Sequence, residues 1–171
     1  MKIVACLALL VVLQEVEGTY LDEERGFSIV IPKGWSLTRG TDRSKALVLR
    51  APPEARTGST CIITLQDPMK AVYDGQVTLD QFLDEVKKQY PKKFTEFEFL
   101  KAEKGKDGEN PTLALTYRYT NSGQRIGQFQ MLVWTKTQHW SLSWGCLADQ
   151  YESQRELFER VAKTFKAGVK K

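Results

Sequence analysis

The sequence predicts an α+β fold in which a mainly antiparallel sheet is flanked by helices. Four extended segments precede the first helical pattern. Four further strands, of which the last three are joined by short turns, then lie between two helices that carry capping signals. The chain has 171 residues, of which 42% are hydrophobic and 27% charged, as expected for one globular domain with a real core.

The first eighteen residues, MKIVACLALLVVLQEVEG, predict a secretory signal peptide. Lys2 precedes an apolar run of eleven residues, 3–13, and a polar stretch follows as far as Gly18. A bilayer-spanning helix needs about twenty apolar residues, so a stable transmembrane anchor is not expected. The alternative is a buried first strand or helix. We expect an exported protein, periplasmic or secreted, that is cleaved near Gly18 and leaves residues 19–171 as a single domain.

Alternation and turn residues predict the early strands. In GFSIVIPKGW, residues 26–35, apolar side chains alternate from Phe27 onward, as in a half-buried strand. Pro32 removes a backbone donor and ends the strand, and Gly34 permits a tight turn. A polar lead-in precedes this strand, before residue 26. The segments WSLT, KALVLRAP and STCIITLQDP, which follow it, predict three more strands.

Capping signals predict the two helices. Thr78 and Gln81 form a T-x-x-Q capping box for a helix that we expect to end at Pro91. Ser153 and Glu156 form an S-x-x-E box for a C-terminal helix. The segments FTEFEFLK, TLALTYRYT, RIGQFQMLVWT and HWSLSWGCL predict the strands between them.

Five large aromatic residues on adjacent strands of the meander form the candidate partner or ligand face. If their alternation registers together, they lie on one face of the sheet. Core packing under a helix is the favoured interpretation, because large aromatics dominate buried area. A partly uncovered face would instead make them a groove for a partner or ligand. The five residues are Tyr117, Tyr119, Trp134, Trp140 and Trp144.

Two stretches of the sequence resemble the PsbP-like fold superfamily, which includes exported proteins of the PsbP and DcrB types. One is GFSIVIPKGW, with the pattern F-x-I-x-x-P-x-G-W. The other is WSLSWGCLADQYESQRELFERVAKTFK, where a late strand leads through a tyrosine-containing loop into a helix that ends near a phenylalanine. The resemblance covers about residues 20–166 and implies an α/β/α sandwich with no enzymatic chemistry common to its members. No metal-binding or photosystem-docking residue of PsbP can be placed here, so a photosynthetic role is not implied.

The sequence carries no recognisable catalytic, cofactor or metal motif. Cys-x-x-Cys, His-Glu-x-x-His and glycine-rich phosphate loops are absent, and His139 is the only histidine. The acidic run Asp22, Glu23 and Glu24 is most simply a solvated segment, with a weak divalent-cation alternative. The net charge of +4 is spread along the chain without a basic stripe, which argues against nucleic-acid binding. We therefore expect neither an enzyme nor a cofactor or metal protein.

The two cysteines that remain after export are predicted to be buried free thiols. Cys61 and Cys146 each lie on the apolar stripe of a predicted strand. An oxidising compartment would permit a disulfide if their Cα atoms come within about 7 Å, so that bond remains the alternative.

These patterns together favour an exported, non-catalytic domain that binds or helps assemble a cell-envelope or membrane-associated protein. The alternative is a small-ligand carrier that uses a cleft between the sheet and a helix.

Overall fold

The computed structural model describes residues 16–40, 42 and 45–169. Most of the predicted signal peptide, with Cys6, lies outside the described residues. Within them, the chain forms ten strands and three α-helices, in agreement with the α+β class. The strands are β1 (Val16–Asp22), β2 (Phe27–Pro32), β3 (Ser36–Arg39), β4 (Leu47–Arg50), β5 (Thr60–Gln66), β6 (Thr95–Asp107), β7 (Asn110–Asn121), β8 (Gln124–Trp134), β9 (His139–Leu147) and β10 (Lys166–Ala167). The helices are α1 (Lys70–Tyr73), α2 (Leu79–Lys93) and α3 (Tyr151–Ala162).

Seven strands form the main sheet, in the order β3-β4-β5-β9-β8-β7-β6, and every neighbouring pair is antiparallel. The remaining strands form a small sheet in the order β1-β2-β10. The predicted meander is confirmed as β7, β8 and β9, with α2 before it and α3 after it. The small sheet was not foreseen as a separate unit, because β10 is only two residues long and β1 carries polar residues.

The main sheet buries apolar side chains on both faces. On one face, residues of β4, β5 and β9 pack against α3 and β2 around Phe27 and Trp144. On the other, residues of β7 and β8 pack against α1 and α2 around Tyr117 and Trp134. Trp35, which follows the Gly34 turn, is buried in the first cluster.

Both helix boundaries differ in part from the predictions. The capping box of α2 is confirmed: the Thr78 hydroxyl accepts the Gln81 N–H at 3.2 Å, and the Gln81 side chain accepts the Thr78 N–H at 2.8 Å. The helix does not end at Pro91 but continues to Lys93, because a proline near the last turn removes only one donor. The capping box at Ser153 is wrong. The N-cap of α3 is Gln150, three residues earlier, the helix begins at Tyr151, and the Ser153 hydroxyl donates to the Gln150 carbonyl from inside the helix.

A close contact between β8 and α3 fixes the start of this helix on the sheet. A Cβ built on Gly127 of β8 would lie 2.7 Å from the Tyr151 Cβ, so only glycine lets the tyrosine approach so closely. Tyr151 is buried, and its hydroxyl donates to the Thr116 hydroxyl at 3.4 Å.

Candidate functional site

An open groove lies on the α2 side of the main sheet, where α2 leaves part of the sheet uncovered. Its volume is about 780 Å³. The floor is formed by side chains that β5, β9 and β8 direct to this face, among them Thr60, Ser143 and Gln128. We call this site the sheet groove. Its lining residues are Ala51, Pro52, Pro53, Arg56, Thr57, Gly58, Thr60, Ile62, Phe94, Tyr119, Asn121, Gln124, Ile126, Gln128, Ser143, Gly145, Cys146 and Leu147.

One wall of the sheet groove is a tight loop after β4. The loop contains a short 3-10 helix, Pro53–Ala55, and then turns at Arg56, whose backbone is left-handed with φ 51°. The Arg56 N–H donates to the Pro53 carbonyl at 3.1 Å. A proline start and this hydrogen bond hold the loop in place.

The opposite wall is aromatic. Phe94, which caps the C-terminus of α2, lies 4.7 Å from the Tyr119 ring of β7, centroid to centroid. Both belong to a cluster with Tyr90, Phe97 and Tyr117. Phe94 and Tyr119 are half-buried, so the cluster presents aromatic surface to the groove.

A buried polar network attaches α2 beside the groove. The hydroxyls of Tyr90 and Tyr117 both donate to the Gln130 side-chain oxygen, at 3.0 and 3.2 Å. The Gln130 amide nitrogen donates to the Ser141 hydroxyl at 2.8 Å. Because each polar group of Gln130 has a partner in the interior, this network fixes the end of α2 and thereby the aromatic wall.

The ionisable groups of the groove are poorly suited to proton transfer at neutral pH. Burial raises the pKa of the Cys146 thiol to about 11, despite its hydrogen bond with Ser59. Burial also raises the pKa of Tyr119. Both groups therefore stay protonated, and neither acts as a nucleophile or base at pH 7.

The structure divides the five predicted aromatic residues between two faces. Tyr117, Tyr119 and Trp134 pack on the α2 face, whereas Trp140 and Trp144 pack on the α3 face. The expectation of a single aromatic face is thus wrong: β8 and β9 pair Trp134 with His139, so Trp140 points to the opposite side. Of the five, only Tyr119 lines the sheet groove.

His139 is buried on the α2 face and stacks on Trp134, with ring centroids 5.0 Å apart. Burial lowers its pKa to about 4, so the imidazole is neutral at pH 7. Neither of its ring nitrogens has a hydrogen-bond partner among the described residues, and it does not line the sheet groove.

The acidic run before β2 is not simply solvated, which corrects that expectation for Asp22. Its carboxylate is fully buried and accepts from the Arg25 guanidinium at 2.9 Å, and Arg39 lies 3.5 Å away. The pKa of Asp22 is lowered, because hydrogen bonds from Arg25 and the Arg39 charge outweigh desolvation, the largest single effect, which raises it. Across the described residues, no group of three or more histidine, cysteine, aspartate or glutamate side chains is placed to hold a metal ion.

Cys61 and Cys146 lie on neighbouring strands and face the same core. Cys61 pairs with Trp144, so Cys146 is its diagonal neighbour two residues along β9. Both thiols are free and buried in the structure. Their state in an oxidising compartment remains a prediction.

Sequence reasoning did not find the sheet groove, because its walls come from segments far apart in the chain. The only local signal was the APPEARTG stretch, whose prolines and glycine mark a turn. Along the described part of the chain, no helix is both long and apolar enough to cross a membrane.

A family model described as the serine/threonine kinase C-terminal domain matches residues 19–167. The chain belongs to this family. The match covers most of the chain, from within β1 to the end of β10, and so includes strands of both sheets. No curated protein matches the sequence.

Solved structures confirm the resemblance to the PsbP-like fold. The solution structure of cyanobacterial PsbP (CyanoP) from Synechocystis sp. PCC 6803 is 17% identical, with a TM-score of 0.64 over 95% of this chain and 97% of that chain. LpqN of Mycobacterium tuberculosis, described as involved in cell envelope biogenesis, is 12% identical, with a TM-score of 0.62 over 83% of each chain. PA94 of Pseudomonas aeruginosa, described as a protein of unknown function and putative regulator, is 11% identical, with a TM-score of 0.54 over 88% of this chain and 95% of that chain. At these identities the likeness concerns the fold alone.

Proposed function

We propose that this chain is an exported, non-catalytic domain that binds a partner protein of the cell envelope in the sheet groove. The observation that carries the proposal is the groove itself: a wide concave surface with an aromatic wall, left uncovered by α2. In this proposal, residues 19–171 act as one α/β/α sandwich domain after removal of residues 1–18.

The envelope location is supported by two separate observations. The N-terminal sequence has the order of charge, apolar run and polar end that is typical of a signal peptide. LpqN, which shares the fold, is described as involved in cell envelope biogenesis.

A binding role fits the chemistry of the groove better than catalysis does. Catalytic sites bring together titratable groups whose pKa values suit proton transfer near pH 7. The lining residues contain one arginine, one cysteine and one tyrosine, and burial keeps the last two protonated. The family name describes the C-terminal domain of a kinase, and these lining residues offer binding surface rather than phosphoryl-transfer chemistry.

A protein partner fits the groove better than a small carried ligand. Carrier pockets bury most of their ligand's surface. Here sixteen of the eighteen lining residues are half-buried or exposed, and only Thr57 and Cys146 are buried. An open surface of this kind suits one side of a protein interface.

Chemical cross-linking in the native envelope, followed by mass spectrometry, tests the proposal with a groove-filling variant. Gly145 lies on the floor, and a Cβ there would make only ordinary contacts, the nearest at 3.6 Å, so Gly145→Phe adds a ring inside the groove. Leu37→Phe is the control, because Leu37 is an exposed residue that pairs with Leu49 and faces the other side of the sheet. We expect the wild-type chain and Leu37→Phe to cross-link to the same partner and Gly145→Phe to lose it.

Two results would contradict the proposal. One is a partner that cross-links equally to all three chains. The other is a small molecule that accompanies the native protein in native mass spectrometry and is absent from Gly145→Phe, which would favour the carrier. If Gly145→Phe does not fold, Gln124→Trp covers the groove from its exposed rim instead.

A further inference from the structure

Of the described residues that line the sheet groove, Arg56 alone has a charged side chain. Its residue is exposed, and the guanidinium makes no ion pair or hydrogen bond with any residue in 16–40, 42 or 45–169. Three other surface arginines of the fold are ion-paired: Arg39 with Glu24, Arg125 with Glu98 and Arg155 with Glu152. Arg56 therefore has a full set of donors available to a ligand.

The backbone holds Arg56 at the groove wall. Its left-handed conformation, φ 51° and ψ 17°, is uncommon for a residue with a side chain and costs on the order of 1 kcal/mol. The preceding 3-10 turn is fixed by hydrogen bonds from the Ala55 and Arg56 N–H groups to Pro52 and Pro53. These hydrogen bonds limit the movement of the Arg56 backbone, from which the guanidinium extends.

The rest of the lining is neutral. It combines apolar side chains, such as Phe94, Ile62 and Ile126, with amide and hydroxyl groups, such as Gln128 and Ser143. Among the residues that the structure describes, the lining contains no aspartate, glutamate or lysine. The complementary occupant has an apolar body and one anionic group.

A carboxylate matches this site better than a phosphate. Arginine binds carboxylates through two parallel hydrogen bonds, and one guanidinium balances the single charge of a carboxylate. A phosphate monoester carries about two charges at pH 7 and needs further cations, which the lining does not supply.

We propose that the groove receives an extended segment of a partner protein in which an aspartate or glutamate lies near an apolar side chain. Arg56 pairs with the carboxylate through two hydrogen bonds, and the apolar side chain packs on Phe94 and Tyr119. This inference rests on the proposed function and adds the chemistry of the partner to it.

A random twelve-residue peptide library displayed on phage, selected on the full chain, tests the inference. Clones that also bind Gly145→Phe are removed, so that the retained peptides occupy the groove. We expect the retained peptides to share an acidic residue near an aromatic or aliphatic one. Replacing that acid by its amide in a synthetic peptide should weaken binding about tenfold, as should Arg56→Gln.

A double-mutant cycle separates a direct ion pair from a general charge effect. If the carboxylate contacts Arg56, the amide peptide should bind wild type and Arg56→Gln equally, because the pair is already broken. Arg56→Lys should retain only part of the affinity, since lysine lacks the planar fork. Lys136→Gln removes one positive charge at an exposed turn outside the groove and should change nothing.

The failures of this inference and of the proposed function give different results. Groove-binding peptides without an acidic residue, with unchanged affinity for Arg56→Gln, overturn the inference and leave the proposed function standing. If every selected peptide also binds Gly145→Phe, so that none is retained, the result counts against both the inference and the proposed function. A third result would also overturn the inference: millimolar inorganic phosphate displaces the retained peptides, and replacing their acidic residue by its amide does not weaken binding. That result would assign Arg56 to a phosphate.

Discussion

At the scale of single residues, His139 makes the stability of the fold depend on pH. Burial lowers its pKa from 6.5 to about 4, and its ring nitrogens have no partner among the described residues. Between these two values the unfolded chain binds a proton that the folded chain does not. The stability that the fold has with a neutral His139 is therefore fully present above pH 6.5, and it is lost as the pH falls towards 4.

We expect the free energy of unfolding to fall by about 2 kcal/mol between pH 7.5 and pH 5 because of His139. His139→Phe keeps a ring to stack on Trp134 but cannot bind a proton, so its stability should change much less over this range. Urea denaturation of both chains at several pH values gives the comparison. Equal pH dependence in the two chains would show that His139 is not the titrating group.

A second residue-scale prediction concerns the contact between β8 and the start of α3. Gly127→Ala places a methyl group 2.7 to 2.9 Å from three atoms of Tyr151, so that the helix or the strand must move. We expect a loss of about 1–3 kcal/mol in the free energy of unfolding. Gly145→Ala is the matched control, since its methyl group has no neighbour closer than 3.6 Å. Similar denaturation midpoints for the two variants would contradict the prediction.

At the scale of elements, alternation was the more reliable signal, whereas the capping pattern was correct for α2 and wrong for α3. The alternation in the predicted strands TLALTYRYT and HWSLSWGCL agrees with the structure: Leu113, Leu115 and Tyr117 lie on one face of β7, and Trp140 and Leu142 lie on one face of β9. The pairing of strands then decided which faces coincide, and a single strand's sequence does not contain that information. This is why the aromatic residues were expected on one side and occupy two.

Other elements escaped prediction for local reasons. β1 has a bulge between Val16 and Thr19, which breaks the alternation, and α1 is a single helical turn. Arg56 gave no signal as a site residue, because an exposed arginine in a turn looks like any solvated residue until the groove around it is known. Its proposed role depends on the uncharged residues that line the rest of the groove, and these lie up to 91 positions away in the sequence, at Leu147.

The N-terminal cap of α2 gives a prediction at the element scale. Thr78→Ala removes the acceptor of the Gln81 N–H and should lower the free energy of unfolding by about 1 kcal/mol. Thr78→Ser keeps a hydroxyl and should stay close to wild type. Far-UV circular dichroism during urea denaturation measures both variants. Equal losses in the two would mean that the Thr78 hydroxyl contributes nothing to the stability of α2 and that packing against the sheet holds the helix.

At the scale of the whole molecule, we expect the fold to tolerate removal of the predicted signal peptide. Cleavage after Gly18 takes away Val16, whose pairing with Pro32 is separated by the bulge from the regular pairs. The pairs from Thr19 to Asp22 remain, and they include the buried Asp22 that is bound to Arg25. A chain that begins at Thr19 would thus retain the regular pairing of β1 and the buried Asp22.

We therefore expect the exported protein to have the mass of residues 19–171 and to unfold at nearly the same denaturant concentration as a chain that begins at Val16. Intact-mass measurement of protein recovered from the periplasm or medium gives the cleavage point. Urea denaturation of the two purified chains compares their stabilities. Recovery of the uncleaved chain from the cytoplasm alone would contradict export. A large loss of stability on removal of residues 16–18 would show that the first part of β1 belongs to the folded domain and that cleavage must lie earlier in the sequence.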